Sequence, residues 1–384
     1  MDFTLTDDHI ALRDAVRRFC DGEYPAHERG LPVSAETEAH RHAGLADLGL
    51  LGLALPAAHG GSELDAVASM LVATELGRTL AGADWLASAI LAAPLIAEAG
   101  SPAQQDRWLA DIVRGARRAA LAFEEPHARW SAQDLRCSAR VYDDTDIDAD
   151  TDAHSWQLDG SKSGVLGGDT ADLLLVLAQA PQGPTLFAVD SADAGLRRRP
   201  YRLIDGRGAA HLELAGVRAE CLGTPGHAAP LVRSAFDRAN AMLVADTTGA
   251  TEMLLALTLE HLRTRRQFGQ ALAAFQALQH RVADLGIALE QLKSMSCVAA
   301  LALAEADDSA RTRAVAAAKV VSAQLGRRAA FDAIQLHGAM GMTEECAAAR
   351  YAKRLLANGA LFGDAMFHRQ RFAALRTTTE GDLT

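Results

Sequence analysis

The chain has 384 residues, 49% of them hydrophobic and 23% charged, the ordinary mix of a globular protein with room for two or three domains. That balance excludes a disordered chain, a collagen-like repeat and a coiled-coil rod. A formal net charge of −11 argues against a nucleic-acid phosphate backbone as a general partner.

Residues 1–118 read as a helical domain. Ser34 precedes Glu36 and Glu38 and opens an amphipathic run. Ser101-Pro102-Ala103-Gln104 offers an N-cap serine, a proline at the first helical position and a glutamine at the third, a complete capping box. Between them, Pro56 to Gly61 reads as a loop. The longest uncharged apolar stretch, residues 85–97, is about 13 residues, short of the roughly 20 needed to span a membrane. Met1-Asp2-Phe3 starts no signal-peptide pattern. Five cysteines (Cys20, Cys137, Cys221, Cys297, Cys346) are widely spread, odd in number and free of CxxC pairs, so no disulfide framework is expected. A soluble, cytoplasmic protein without membrane association is the expectation.

Residues 119–225 change character. Short apolar runs such as 173–177 and 186–189 alternate with the turn signals Asp159-Gly160, Gly167-Gly168 and Pro181-Gln182-Gly183-Pro184. They predict a small antiparallel barrel or sandwich. Asp146, Asp148 and Asp150 have calcium-loop spacing, but Thr151 stands at the sixth position instead of glycine and Gln157 at the twelfth instead of glutamate. A solvated loop is the reading, and no metal is expected. Arg197-Arg198-Arg199 suits a charged strand edge better than a phosphate site. Gly206-Arg207-Gly208 lacks the third glycine and the following helix of a dinucleotide fingerprint.

Residues 226–384 are helical again. Leu278, Val282, Leu285, Leu289 and Leu292 form one face of a helix, and breaks at Gln267-Phe268-Gly269, Asp307-Asp308 and Gly338 to Gly341 divide the region into four long helices. The expected architecture is α+β: an N-terminal helical domain, a middle antiparallel β-barrel or sandwich, and a C-terminal four-helix bundle.

Arg263-Thr264-Arg265-Arg266-Gln267-Phe268-Gly269 with Phe275 to Asp284, and Gln335-Leu336-His337-Gly338-Ala339-Met340-Gly341 with Met342 to Glu345, resemble the two bundle signatures of acyl-CoA dehydrogenases. Pro56 to Gly61 and Leu158-Asp159-Gly160-Ser161-Lys162 agree in order, so the resemblance covers essentially the whole chain. Within the family, Ala122-Phe123-Glu124-Glu125-Pro126 and Leu361-Phe362-Gly363-Asp364 look most like small subunits of heteromeric enzymes, such as the pimeloyl-CoA dehydrogenase small subunit.

The resemblance implies FAD held across a subunit interface and α,β-dehydrogenation of an acyl-CoA thioester to the 2,3-enoyl-CoA. An electron-transferring flavoprotein would be the acceptor. The partner would be a paralogous large subunit in a heterotetramer, or a second copy of the chain. Phe123 matches the flavin-contacting strand of the middle domain. Arg265, Phe268, Gln335, His337 and Gly338 match the contacts to a neighbour's flavin tail. The family's catalytic glutamate is replaced by Phe362, and the alternative position on the first bundle helix by Ala239. Asp246 lies seven residues on from Ala239, about two turns along the same face, where apolar burial would raise its pKa and make it a candidate base. Trp130 and Gly164 also depart from the family pattern near the flavin ring. Three readings stay open: catalysis by this chain through Asp246, a non-catalytic partner that completes the FAD site of a large subunit, or another flavin reaction in a homo-oligomer.

Overall fold

A computed structural model describes residues 4–132, 134–142 and 156–380. The acidic stretch with Asp146, Asp148 and Asp150 lies outside the described residues.

The N-terminal region comprises α1 (Asp7–Glu23), α2 (Ala35–Asp47), α3 (Ala66–Arg78), a π-helical segment (Trp85–Ala92) running into α4 (Ala93–Ala99), and α5 (Pro102–Val113). Each predicted cap forms. The Thr37 N–H donates to Ser34 Oγ at 3.1 Å. At α5 the Gln104 N–H donates to Ser101 Oγ (3.3 Å) and the Ser101 N–H to Gln104 Oε1 (3.0 Å). The uncharged stretch from Trp85 is buried throughout its π-helical part, with Trp85 Nε1 donating to the Leu50 carbonyl at 2.9 Å.

The middle region holds β1 (Ala119–Ala122), β2 (Ser138–Val141), β3 (Trp156–Leu166), β4 (Leu173–Ala180), β5 (Gly183–Asp190), β6 (Leu196–Arg202) and β7 (Gly208–Leu222). Pairing runs β4-β2-β3-β7-β5, and β5 pairs back to β4, which closes a barrel; β1 flanks β4 and β6 flanks β7. Leu158, Leu174, Val176, Phe187, Leu212 and Val217 fill it. The pairing is not wholly antiparallel, because β1 and β2 both run parallel to β4. Parallel neighbours need a long crossover, and these are separated by dozens of residues. The arginines of β6 sit on the sheet edge, Arg199 paired with Glu213 on β7 at 2.7 Å.

Beyond it come α6 (Ala228–Thr264), a tight hairpin of β8 (Arg266–Gln267) and β9 (Gln270–Ala271), α7 (Gln276–Ala302), α8 (Asp308–His337), α9 (Ala347–Ala360) and α10 (Ala365–Glu380). Phe268 and Gly269 turn the hairpin at φ of 52° and 81°. Leu285, Leu289 and Leu292 of the anticipated face are buried. Helices α6 and α7 are long and apolar enough to cross a membrane, but α6 is a core helix, and α3 crosses it closely. A Cβ on Gly77 would lie 2.2 Å from the Asp246 carbonyl oxygen, and one on Gly249 would lie 1.9 Å from that of Thr74. The two glycines therefore set the helix separation. The chain thus has the expected order of helices, strands and helical bundle.

Candidate functional site

Three aromatic rings meet where the domains join. Phe123 follows β1, Phe236 lies on α6, and Phe362 lies just beyond α9. Their centroids are 4.4 Å apart for Phe123 and Phe236, and 6.0 Å for each with Phe362. All three are at most 5% exposed. Rings at these spacings gain contact energy beyond the area they bury. Ala239, one turn on from Phe236, is fully buried. The two positions where the family resemblance locates a base therefore carry a packed ring and a methyl group.

Phe362 adopts φ of 52°, uncommon for a residue with a side chain, and polar contacts hold it there. Its carbonyl accepts from Asn240 Nδ2 (3.2 Å) and His368 Nε2 (3.0 Å). The Lys319 ammonium donates to the carbonyls of Asn358 and Leu361, which end α9. Burial, with Arg207 adding to it and Asp246 opposing, brings Lys319 down to about 7. Burial and the charge of Lys319 push His368 down to about 3, so it is a neutral donor.

Next to this junction a cleft of about 270 Å³ opens between barrel and bundle, lined by Glu124, Trp130, Gly164, Ile204, Leu361 and Phe362 among others. Burial raises the Glu124 pKa, against the charge of Arg129. Trp130 also has a positive φ, 55°, and packs on Phe367 at 5.6 Å. Beneath the cleft, buried Lys162 donates to Glu125 (2.7 Å) and to the Phe123 carbonyl (3.3 Å). Burial alone would raise Glu125, but Lys162 and the N–H groups of Arg136 and Cys137 bring it below its usual value.

Asp246 is elsewhere along α6 and differently placed. Both of its carboxylate oxygens are taken by Arg354 of α9, with Nε to Oδ1 at 2.9 Å and Nη2 to Oδ2 at 2.6 Å. Asn358 Nδ2 donates to Oδ1 at 2.6 Å. Arg354 reaches on to Asp205 (3.4 Å), and Asp205 pairs with Arg207 at 2.6 Å. Burial would raise the Asp246 carboxyl, as anticipated, but the charge and hydrogen bonds of Arg354 dominate, followed by Arg207 and Asn358, and hold it low. The expected upward shift is thus corrected to a downward one. Around it, Trp85, Met242 and Leu243 leave a residual cavity of about 10 Å³, at most one water.

The bundle residues gather at the other end of α6. Arg265, Phe268, Gln335 and Gly338 are exposed, Phe268 by 89%. Gly338 ends α8 at φ of 65°, and a Cβ there would meet nothing within 4 Å. His337 is nearly buried; its Nδ1 donates to the Ala333 carbonyl at 2.8 Å, and its ring stacks on His261 at 4.5 Å. A guanidinium, an uncovered ring and an open glycine backbone suit an anionic, aromatic ligand presented from outside. Phe123 does not join them, since its ring is enclosed by Phe236 and Phe362. Sequence reasoning missed His261, although its four-residue step to Arg265 puts both on one helical face. It also missed Phe236, Lys319 and Arg354, for which no short-range signal exists.

Comparison with known proteins gives the class to which this fold belongs. The family model described as "Acyl-CoA dehydrogenase, N-terminal domain" matches residues 6–116, and "Acyl-CoA dehydrogenase, C-terminal domain" matches residues 229–374. Acyl-CoA dehydrogenase FadE27 of Mycobacterium tuberculosis is 29% identical over 91% of this chain and 92% of its own length. The 3-sulfinopropanoyl-CoA desulfinase of Paraburkholderia xenovorans is 28% identical over 88% of each. Among solved structures, a Tcur3481-Tcur3483 steroid ACAD variant superposes with TM-score 0.84 at 29% identity, covering 99% of this chain and 100% of that one. A glutaryl-coenzyme A dehydrogenase complex shares the fold, with TM-score 0.86 at 21% identity over 98% and 97%. The chain belongs to the acyl-CoA dehydrogenase family, and that membership supports an FAD-dependent oxidoreductase acting on acyl-CoA thioesters.

Proposed function

We propose that this chain is the small subunit of a heteromeric, cytoplasmic acyl-CoA dehydrogenase, and that it completes the FAD site of a paralogous large subunit without supplying the base. The observation that carries this reading is Phe362. At the position matched to the family's glutamate, it is locked into a ring cluster with Phe123 and Phe236, with only Ala239 at the alternative position. The similarity to a steroid ACAD named for two components supports it further.

FAD, when bound, supplies the two-electron acceptor for α,β-dehydrogenation. This chain's part is binding and exclusion. The Arg265 guanidinium offers paired N–H groups to the diphosphate of the large subunit's flavin. Gly338 lets the backbone approach, Gln335 contributes amide hydrogen bonds, and Phe268 covers the ligand. The proton-accepting carboxylate would come from the large subunit, and an electron-transferring flavoprotein would be the electron acceptor. Asp246 has a structural role here, since a base must be free to accept a proton and its oxygens already accept from Arg354 and Asn358.

The test is the visible absorption spectrum and native mass of the chain purified alone and co-expressed with a large-subunit paralogue. The expected result is a colourless protein alone, and about one FAD per heterodimer together. A chain that binds stoichiometric flavin by itself, and whose flavin an acyl-CoA bleaches anaerobically, overturns the proposal.

A further inference from the structure

His261 and His337 have no place in the reading so far as a pair. One comes from the last turn of α6, the other from the last residue of α8, and their rings stack at 4.5 Å with 26° between planes. Two helix C-termini converge there, beside Arg265, Gln335 and Gly338. The Ala333 carbonyl fixes the His337 proton on Nδ1. Nε2 is therefore a lone pair when the ring is neutral and becomes a donor only when the ring gains a second proton.

We propose that His261 and His337 form, with Arg265, a proton-coupled clamp for the diphosphate of FAD: one proton enters the stacked pair as the anion arrives and turns an acceptor nitrogen into a donor. This rests on the reading that a neighbour's flavin tail lies on this face. Without the anion, His261 resists that proton. Burial lowers the His261 pKa first, then His337 and Arg265. Glu260 and Arg263 of α6 and Arg266 of the hairpin are charged groups nearby in the chain, and α7 contributes His280 and Arg281. Glu344 and Glu345 follow the turn after α8, with Glu344 paired to Lys353 of α9 at 3.3 Å. Residues 272–274, which close under Arg265, carry no titratable side chain. Asp332, the nearest acid along α8, is engaged by Arg281 (3.6 Å) and Arg328 (3.5 Å). A diphosphate provides the countercharge that these neighbours do not. Its arrival raises the proton affinity of the pair, and by linkage protonation raises the affinity for FAD.

The experiment titrates FAD into the deflavinated complex of this chain with its large subunit. Calorimetry is run at pH 7 in two buffers of different ionisation enthalpy, and Kd is measured from pH 6 to 8. We expect uptake of up to one proton per FAD, with Kd rising at most about tenfold per pH unit where the free pair is neutral. His261→Phe and His337→Phe each keep a stacked ring; either should reduce the uptake and flatten the pH profile. Zero uptake by the wild-type complex overturns the proposal, as does uptake unchanged in both variants. Arg265→Ala separates the two readings. Affinity lost there with no proton uptake in wild type removes only the histidine clamp. Affinity unchanged there places the flavin tail elsewhere, and both readings fall.

Discussion

Arg354 on α9 meets Asp246 on α6 edge to edge, its Nε and Nη2 on the two carboxylate oxygens at 2.9 and 2.6 Å. The same guanidinium donates to the Ala81 carbonyl after α3 at 2.6 Å and reaches Asp205 of the middle region. One side chain thus ties together the three structural regions, in a place with almost no room for water.

Removing the carboxylate charge leaves Arg354 buried and partly uncompensated. Asp246→Asn should lose about 3–5 kcal/mol of stability, read as a lower denaturation midpoint. Turnover per assembled, flavin-loaded enzyme should persist. The folded pKa of Asp246 is depressed, so its contribution is present above the unfolded value of about 4 and is lost as pH falls through the folded one. Wild type should therefore lose more stability than Asp246→Asn on acidification. Equal acid sensitivity of the two would count against this account.

The ring cluster makes a steric prediction. Phe362→Ala empties a site enclosed by Phe123 and Phe236 and should cost about 3–5 kcal/mol in chemical unfolding, whereas Phe362→Leu should cost under about 1.5 kcal/mol. A loss in the alanine variant no larger than in the leucine variant would show that the cluster is loosely packed.

Lys319 gives a pH signature of the same sense in a higher pH window. Its folded pKa, near 7, lies below the unfolded value of about 10.4. Between those limits the unfolded chain holds more protons, so stability rises with pH by roughly 1 kcal/mol per unit from this group. The contribution is lost as pH drops through 7. Lys319→Met should remove it, which unfolding curves at pH 7, 8 and 9 would register as a wild-type-minus-variant difference growing with pH.

Glu125 and Lys162 form another deeply buried pair, with Lys162 also donating to the Phe123 carbonyl. Lys162→Met leaves the carboxylate with only its two backbone donors and should destabilise the chain by about 3–5 kcal/mol. Pairing it with Glu125→Leu should restore part of that loss, and a double-mutant cycle reads the coupling. A purely additive cycle would contradict a shared ion pair.

Features carried by adjacent residues were legible in the sequence. The Ser101 box, the Ser34 cap and the leucine face of α7 are set within one or two helical turns, and local chemistry decides them. The order of helices, strands and bundle followed from changes in apolar periodicity. What stayed hidden was long-range. Asp246 and Arg354 are 108 residues apart, and nothing near Asp246 in the chain announces a guanidinium. Its apolar neighbours pointed to a raised pKa, and the partner reversed the sign. The parallel alignment of β1 and β2 with β4 was equally hidden, since strand direction is fixed by the crossover rather than by the strand's own residues. That Phe362 stands where the family resemblance locates a glutamate was legible as a substitution. That its ring fills the junction required Phe123 and Phe236 in place.

The ring of Phe268, 89% exposed at the tip of its hairpin with Met340 and Met342 also bare, bears on supply as well as on binding. Apolar groups of this size in water invite association with whatever surface is near. If the proposed large-subunit counterpart covers it, a chain made in excess would present that tip to chaperones, proteases and its own copies. For the proposed heteromer, the ratio in which two subunits are made would then set how much of this surface stays bare, and orphan chains would be removed through it.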